Sequence, residues 1–235
     1  MKLGLLQCDH ASGPAAKIAG DYDAMFRRWI EADWLIYDVT RGERPRDLDE
    51  CDAYVTTGSS ASVYDDVPWI HGFAELVKGI HSSDKPFLGV CFGHQMMAHA
   101  LGGRVARSPH GWEIGVRRFP IGKREAWMRP GRDEISMLMS CQDQVEQLPA
   151  DAAVLAGDRQ CPVALYRVGN MLGVQGHPEW PAAFAGVLLT DRTERIGSRK
   201  VAAAQRSLDQ PLDNELLAQW AARFFRSVRT GIDLH

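Results

Sequence analysis

The sequence predicts an α/β fold: a mostly parallel open sheet flanked by helices, with additional antiparallel strands. Three observations carry this. Up to Gly103, short apolar runs alternate with helix-like stretches at a spacing that suits right-handed crossovers between parallel strands. Those runs are apolar almost throughout, as in strands buried on both faces. From about Arg104 the texture changes to short apolar or alternating runs, the pattern of added, partly antiparallel strands.

Taken in order, KLGLLQ (2–7) reads as the first strand, ASGPAAK as a loop, and 21–32 as a helix. WLIYDVT (34–40) is a second strand, followed by the charged surface connection RGERPRDLDE. AYVTTG (53–58) is a third strand, and Pro68 opens a helix through WIHGFAELVKGIH. PFLGV (86–90) is a fourth strand, and FGHQMMAHAL is a helix stopped by Gly102-Gly103. RVARSP, EIGVRRFPI, ISMLMS, AAVLAG, PVALYRV and MLGVQ supply the added strands. Helical stretches at 181–207 and 213–229 close the chain. No repeat or linker interrupts it, so residues 1–235 are expected to form a single domain.

With 45% hydrophobic and 24% charged residues, the composition is that of an ordinary globular protein, and 235 residues suffice to bury a sizeable core. The net charge of −3, with both signs intermixed, leaves no electrostatic footprint for nucleic acid. No run is long and apolar enough for a membrane helix, and MKLGLLQCDH is interrupted too early for a signal peptide. A cytoplasmic location is the expectation. The five cysteines are odd in number, widely spaced and free of C-x-x-C pairs, which argues against disulfides and zinc.

One of them stands apart. GVCFGHQ places Cys91 between Gly89 and Gly93, where a strand-like run gives way to a helix. G-x-C-x-G at such a junction has the layout of a nucleophile elbow, at the carboxyl ends of the strands where open α/β folds build their sites. A helix N-terminus there favours thiolate over thiol, and its free N–H groups bind an oxyanion. The bland alternative is a buried cysteine in a glycine turn. A partner base appears in GVQGHPEW: His177 and Glu179 lie two apart, so in an extended segment they face the same side. The carboxylate then reaches one ring nitrogen while the other faces a nucleophile, completing a triad of Cys91, His177 and Glu179.

GVCFGHQ together with GHPE resembles the class I glutamine amidotransferases, in particular their free-standing, GMP-synthase-like members. TTGSS, SVYDDVPWI, GWEIG and the stretch SCQDQV add weaker likenesses over most of the chain. The resemblance implies a flavodoxin-like arrangement and a cysteinyl thioester formed from the side-chain amide of glutamine. It implies an oxyanion held by the amides of Phe92 and the Gly58–Ser59 turn. Gln95 would line the pocket for the amino-acid end of the substrate, and Glu113 and Asp143 would recognise its α-ammonium. Relatives usually carry a histidine where this chain has Cys141, which touches substrate identity more than the triad.

No metal and no organic cofactor is implied, because a thiolate, an imidazole and backbone donors suffice for amide hydrolysis. The leading expectation is a glutaminase that gives ammonia to a partner synthetase on another chain, since this one has no room for a nucleotide-activating domain. The alternative is a self-sufficient γ-glutamyl peptidase on the same triad. A redox-sensing protein built on Cys91 is a third reading, disfavoured because such proteins lack the H-P-E element. Cys8-Asp9-His10 reads as loop structure, and Gly102-Gly103 as a helix stop. Trp112 and Trp180 lie beside the site segments as wall residues, and DRTERIGSRK reads as a solvated helix face.

Overall fold

The apolar residues of KLGLLQ lie in β1 (Lys2–Gln7), next to the edge of a seven-stranded sheet in the computed structural model, which describes residues 1–230. Numbered along the chain, its other strands are β2 (Asp33–Asp38), β3 (Ala53–Thr56), β4 (Phe87–Val90), β9 (Ala153–Ala156), β10 (Leu165–Val168) and β11 (Met171–Val174). Their order is β2-β1-β3-β4-β11-β10-β9. The first five strands in this order run parallel, and β10 is antiparallel to both β11 and β9. The predicted fold class is therefore the observed one. Two antiparallel pairs stand outside the sheet: β5 (Arg104–Arg107) with β8 (Asp143–Gln147), and β6 (Glu113–Pro120) with β7 (Glu134–Cys141).

Alternate strand residues feed two apolar layers, as the period of two in a buried sheet requires. Leu3, Leu5, Val55, Leu88 and Val90 join Phe26 of helix α2 (Tyr22–Trp29), Phe224 of helix α8 (Asn214–Thr230) and Met137 of β7 on one face. Leu6, Tyr54 and Phe87 join the other face, beneath α3 (Pro68–Ser82) and α4 (Phe92–Ala100). Proline at the first turn of α3 costs no hydrogen bond there, because that amide has no intrahelical acceptor. No described helix is long and apolar enough to cross a membrane.

Three expectations about local structure need correction. ASGPAAK is not a loop: Gly13–Ala19 is a helix, α1, with its proline at the tolerant first turn. The stretch 181–207 is three helices rather than one: α5 (Ala182–Asp191), α6 (Thr193–Ile196) and α7 (Ser198–Ser207). Gly197, at φ +102°, makes the break that a side chain would resist. The predicted strands omit β8, because four of the five residues of DQVEQ are polar, two of them buried and two facing outward.

Candidate active site

The four apolar residues of β4 deliver the chain to Cys91, and α4 starts on the next residue. Cys91 takes φ +49° and ψ −97°, close to the strained classic γ-turn region. Its backbone N–H donates to the Val174 carbonyl at 2.8 Å, tying the bend to β11. The flanking glycines are required by contact. A Cβ on Gly93 would lie 1.5 Å from Thr56 Oγ1, and one on Gly89 would lie 2.6 Å from the Gly93 carbonyl carbon. The Thr56 hydroxyl in turn accepts from the Val90 N–H at 3.2 Å. Phe92, the first residue of α4, presents an amide at the helix end, where no carbonyl a turn earlier is available to it.

β11 ends beside β4, in register with Val174 opposite Val90. The chain then leaves the sheet as Gln175-Gly176-His177, and the His177 N–H donates to the Leu138 carbonyl of β7 at 2.8 Å. Glu179 Oε1 lies 2.8 Å from His177 Nδ1, both side chains being almost fully enclosed. The ring of Trp180 stacks on the imidazole at 3.6 Å and 11°. Burial alone would push the His177 pKa down, but the negative charges of Cys91 and then Glu179 outweigh it and hold it up to about 9. The structure brings the side chains of Cys91, His177 and Glu179 together, with His177 and Glu179 on one side of their segment.

Gly58, at the end of the segment after β3, lies against both groups: a Cβ there would be 2.7 Å from His177 Cε1 and 3.6 Å from Cys91 Cβ. Gly58→Ala is thus expected to push the imidazole out of line, with Trp180 stacked against its face. The expected result is a fall of about 10²-fold in turnover with little change in melting temperature, read by steady-state kinetics beside thermal denaturation. The loop that follows is braced from several directions. Thr57 Oγ1 accepts from the Cys8 N–H at 2.8 Å, and Asp9 Oδ2 accepts from the Ser60 N–H at 2.7 Å.

A cleft of about 70 Å³ opens above the thiol, lined by Cys91, Gln95, Asp143, Cys141 and the Ser59–Ser62 loop. Arg107, Trp112, Arg192 and Arg195 form its outer walls. Gln95 Nε2 donates to the Asp143 carbonyl at 2.7 Å and to Gln175 Oε1 at 3.2 Å. Gln175 Nε2 faces Cys91 Sγ at 3.7 Å. Sequence reasoning missed Gln175, although the alternation that pairs His177 with Glu179 puts it on the same side one step earlier. Burial pushes the Cys141 thiol well up, aided by the charges of Cys91 and Cys161, so Cys141 stands as a neutral wall.

Glu113 departs from its expected role. Its carboxylate pairs with Arg117, which also binds Asp158 at 2.5 Å, and it does not line the cleft. Asp143 does line it, accepting a hydrogen bond from Ser62 Oγ. Of the wall tryptophans, Trp112 faces the cleft while Trp180 backs His177. DRTERIGSRK is more than a solvated face, since Arg192 and Arg195 turn into the cleft wall. His10, in the Cys8-Asp9-His10 loop, is held between Asp21 at 2.7 Å and Asp38 at 3.0 Å.

Comparison with known proteins adds an independent line. Residues 34–186 match the family model for glutamine amidotransferase class-I. Gamma-glutamyl peptidase 3 of Arabidopsis thaliana is 31% identical over 156 residues, 63% of this chain and 63% of that protein. GMP synthase [glutamine-hydrolyzing] of Pyrobaculum aerophilum is 35% identical over 131 residues, 56% of this chain but 25% of that protein. The chain thus spans under two thirds of either relative. A solved glutamine amidotransferase from Thermotoga maritima superposes with a TM-score of 0.74 over 96% of both chains at 21% identity, a likeness of fold.

Proposed function

Because the chain belongs to the class I glutamine amidotransferase family, we propose that it hydrolyses a γ-glutamyl amide bond through a thioester on Cys91. The observation that carries this reading is the pairing of a thiol held at φ +49° with a buried His177–Glu179 couple against it. In the proposed sequence, the Cys91 thiolate attacks the γ-carbonyl carbon, and the amides of Phe92 and Ser59 receive the oxyanion. His177, protonated on the nitrogen remote from Glu179, gives its proton to the departing amine as the C–N bond breaks. It then takes a proton from the water that attacks the thioester, releasing glutamate and free Cys91. Glu179 holds the ring in the working orientation and stabilises its charged form. Gln175 and Gln95 orient the thiol and the floor of the pocket, and Asp143 receives the α-ammonium.

Glutamine is the smallest substrate that fits this chemistry, and a γ-glutamyl peptide is the other. The curated relatives include both kinds of enzyme by name. Arg107 and Arg195 of the outer wall favour the peptide, because ammonia as a leaving group has nothing to offer them. The glutaminase reading would pair the chain with a synthetase subunit. Release of glutamate from glutamine and from a γ-glutamyl dipeptide, by the protein and by Cys91→Ala, tests the proposal. Loss of all release in the variant supports it, and undiminished release overturns it.

The pH dependence follows from the imidazolium. His177 must be protonated to serve the leaving amine, so kcat/KM is expected to fall as pH rises through about 9. Its folded pKa lies above the ordinary 6.5, so the stability it contributes is fully present below pH 6.5 and lost as pH rises through about 9. Glu179→Gln removes a negative charge that raises this pKa. The alkaline limb should therefore move to lower pH, with a drop of about 10²–10⁴-fold in rate. An unmoved limb in the variant's pH–rate profile would detach Glu179 from His177.

A further inference from the structure

We propose that Arg107 and Arg195 select substrates that carry a carboxylate on the leaving-group side of the γ-glutamyl bond, so that the substrate is a γ-glutamyl amino acid or peptide. This inference rests on the hydrolytic reading of Cys91 and adds the chemistry of the group that departs.

The cleft above Cys91 is lined by three guanidinium groups, those of Arg107, Arg192 and Arg195, against one carboxylate, Asp143. Among the described residues, none of these arginines lies within ion-pair distance of a carboxylate. Other arginines near the cleft strands are paired: Arg104 binds Glu146 at 2.8 Å, and Arg117 is shared by two carboxylates. Two of the cleft arginines are held by neutral contacts that leave their charge unspent. Arg192 Nη1 donates to Ser140 Oγ at 2.8 Å, and the Arg195 guanidinium lies 4.8 Å from the centre of the Trp112 ring.

Charge matching then limits the occupant. A γ-glutamyl head has one ammonium, which suits Asp143, and one α-carboxylate, which takes one guanidinium as a bidentate partner. Arg192, half-buried and tied to Ser140 next to Cys141, is the one placed for the head. Arg107 and Arg195 are exposed on the outer wall, so glutamine would leave both unmatched. A leaving amine that bears its own carboxylate supplies the missing anion. The reaction balances with water alone: the amide C–N bond breaks, the amine leaves with the proton from His177, and water then cleaves the thioester to glutamate.

The test compares kcat/KM on γ-glutamylglycine, on γ-glutamylglycinamide, which has the same shape without the charge, and on glutamine. The proteins are wild type and the double variant Arg107→Gln/Arg195→Gln. Wild type should prefer the free acid to the amide by about tenfold or more, the scale of a charge-assisted contact. In the double variant the ratio should fall to about one, and in wild type it should shrink with added salt. A wild-type ratio near one overturns the proposal. So does a double variant that slows on all substrates alike with its ratio kept, since the arginines would then serve the glutamyl head. Failure of wild type to cleave any of the three overturns the hydrolytic reading itself, a result distinct from the other two.

Discussion

Replacing Cys91 with alanine is expected to lower glutamate release by at least about 10⁴-fold while leaving the melting temperature near that of wild type. The two halves of this result have separate causes. Without the sulfur no thioester forms, and the remaining oxyanion donors and imidazole cannot share out the work of a missing nucleophile. The fold, by contrast, asks little of the thiol beyond its charge interaction with His177, which fades as pH rises through about 9, so the comparison is made at that pH. Sγ receives one long contact, from Gln175 at 3.7 Å, while Cβ keeps its place against the segment at Gly58. A second substitution at the same position sharpens the test. Cys91→Gly removes a side chain from φ +49°, where it costs about 1–2 kcal/mol, against about 0.5–1 kcal/mol for the added freedom of the unfolded chain. The glycine variant should therefore be as inactive as alanine and no less stable than wild type in urea denaturation. An active alanine variant would remove Cys91 from the chemistry, and a collapsed glycine variant would show that the bend stores no strain.

Gly93→Ala should do the reverse, acting on stability first. A methyl group at that position would sit 1.5 Å from Thr56 Oγ1 and 2.7 Å from Thr56 Cβ, with buried β3 behind it. Relief requires α4 to lift away from the sheet or Thr56 to lose its contact with the Val90 N–H. Overpacking of this kind ordinarily costs about 1–3 kcal/mol, and here the overlap is with a β-branched residue of a fully buried strand, so about 3 kcal/mol or more is expected. The unfolding midpoint in urea measures it. Thr56→Gly combined with Gly93→Ala should be less destabilised than the sum of the single changes, because the two positions contest the same space. Additive losses would place the strain elsewhere. The activity of any folded Gly93→Ala protein should also be low, since the helix end that carries the Phe92 amide would have shifted.

How much of this could be read from residues alone depended on what each segment says about itself. The parallel half of the sheet is legible because β1, β3 and β4 are short apolar runs with helices between, and no competing pattern explains them. The elbow and the His177–Glu179 couple are legible because each is a local arrangement: glycines around a turn, and two side chains on one side of an extended segment. What depends on distant partners is silent. Helix α1 hides behind Gly13-Pro14, residues that open helices as readily as they make loops. Strand β8 hides because four of its five residues are polar, and what makes it a strand is β5, far away in sequence. Glu113 looks like a site residue until Arg117, on the same strand, takes its charge. Arg192 and Arg195 look solvated because nothing local shows that α6 bends toward the cleft, and Gly197 is the sole local sign of the break.

Strands β4 and β11 meet in parallel register, and the hydrogen bond from Cys91 to the Val174 carbonyl locks the nucleophile strand to the strand that ends at His177. The reacting pair is thus assembled by a seam only one strand wide. Arg107, Trp112, Cys141, Asp143, Arg192 and Arg195, which line the cleft, all lie outside that seam. The thiol–imidazole pair and the cleft walls thus ride on different elements, linked through the hydrogen bonds from the His177 N–H to the Leu138 carbonyl and from Gln95 to the Asp143 carbonyl. Point substitution of a wall side chain is expected to keep the spacing of sulfur and imidazole, because both links run through backbone carbonyls, whereas a grafted wall would carry those links away with it.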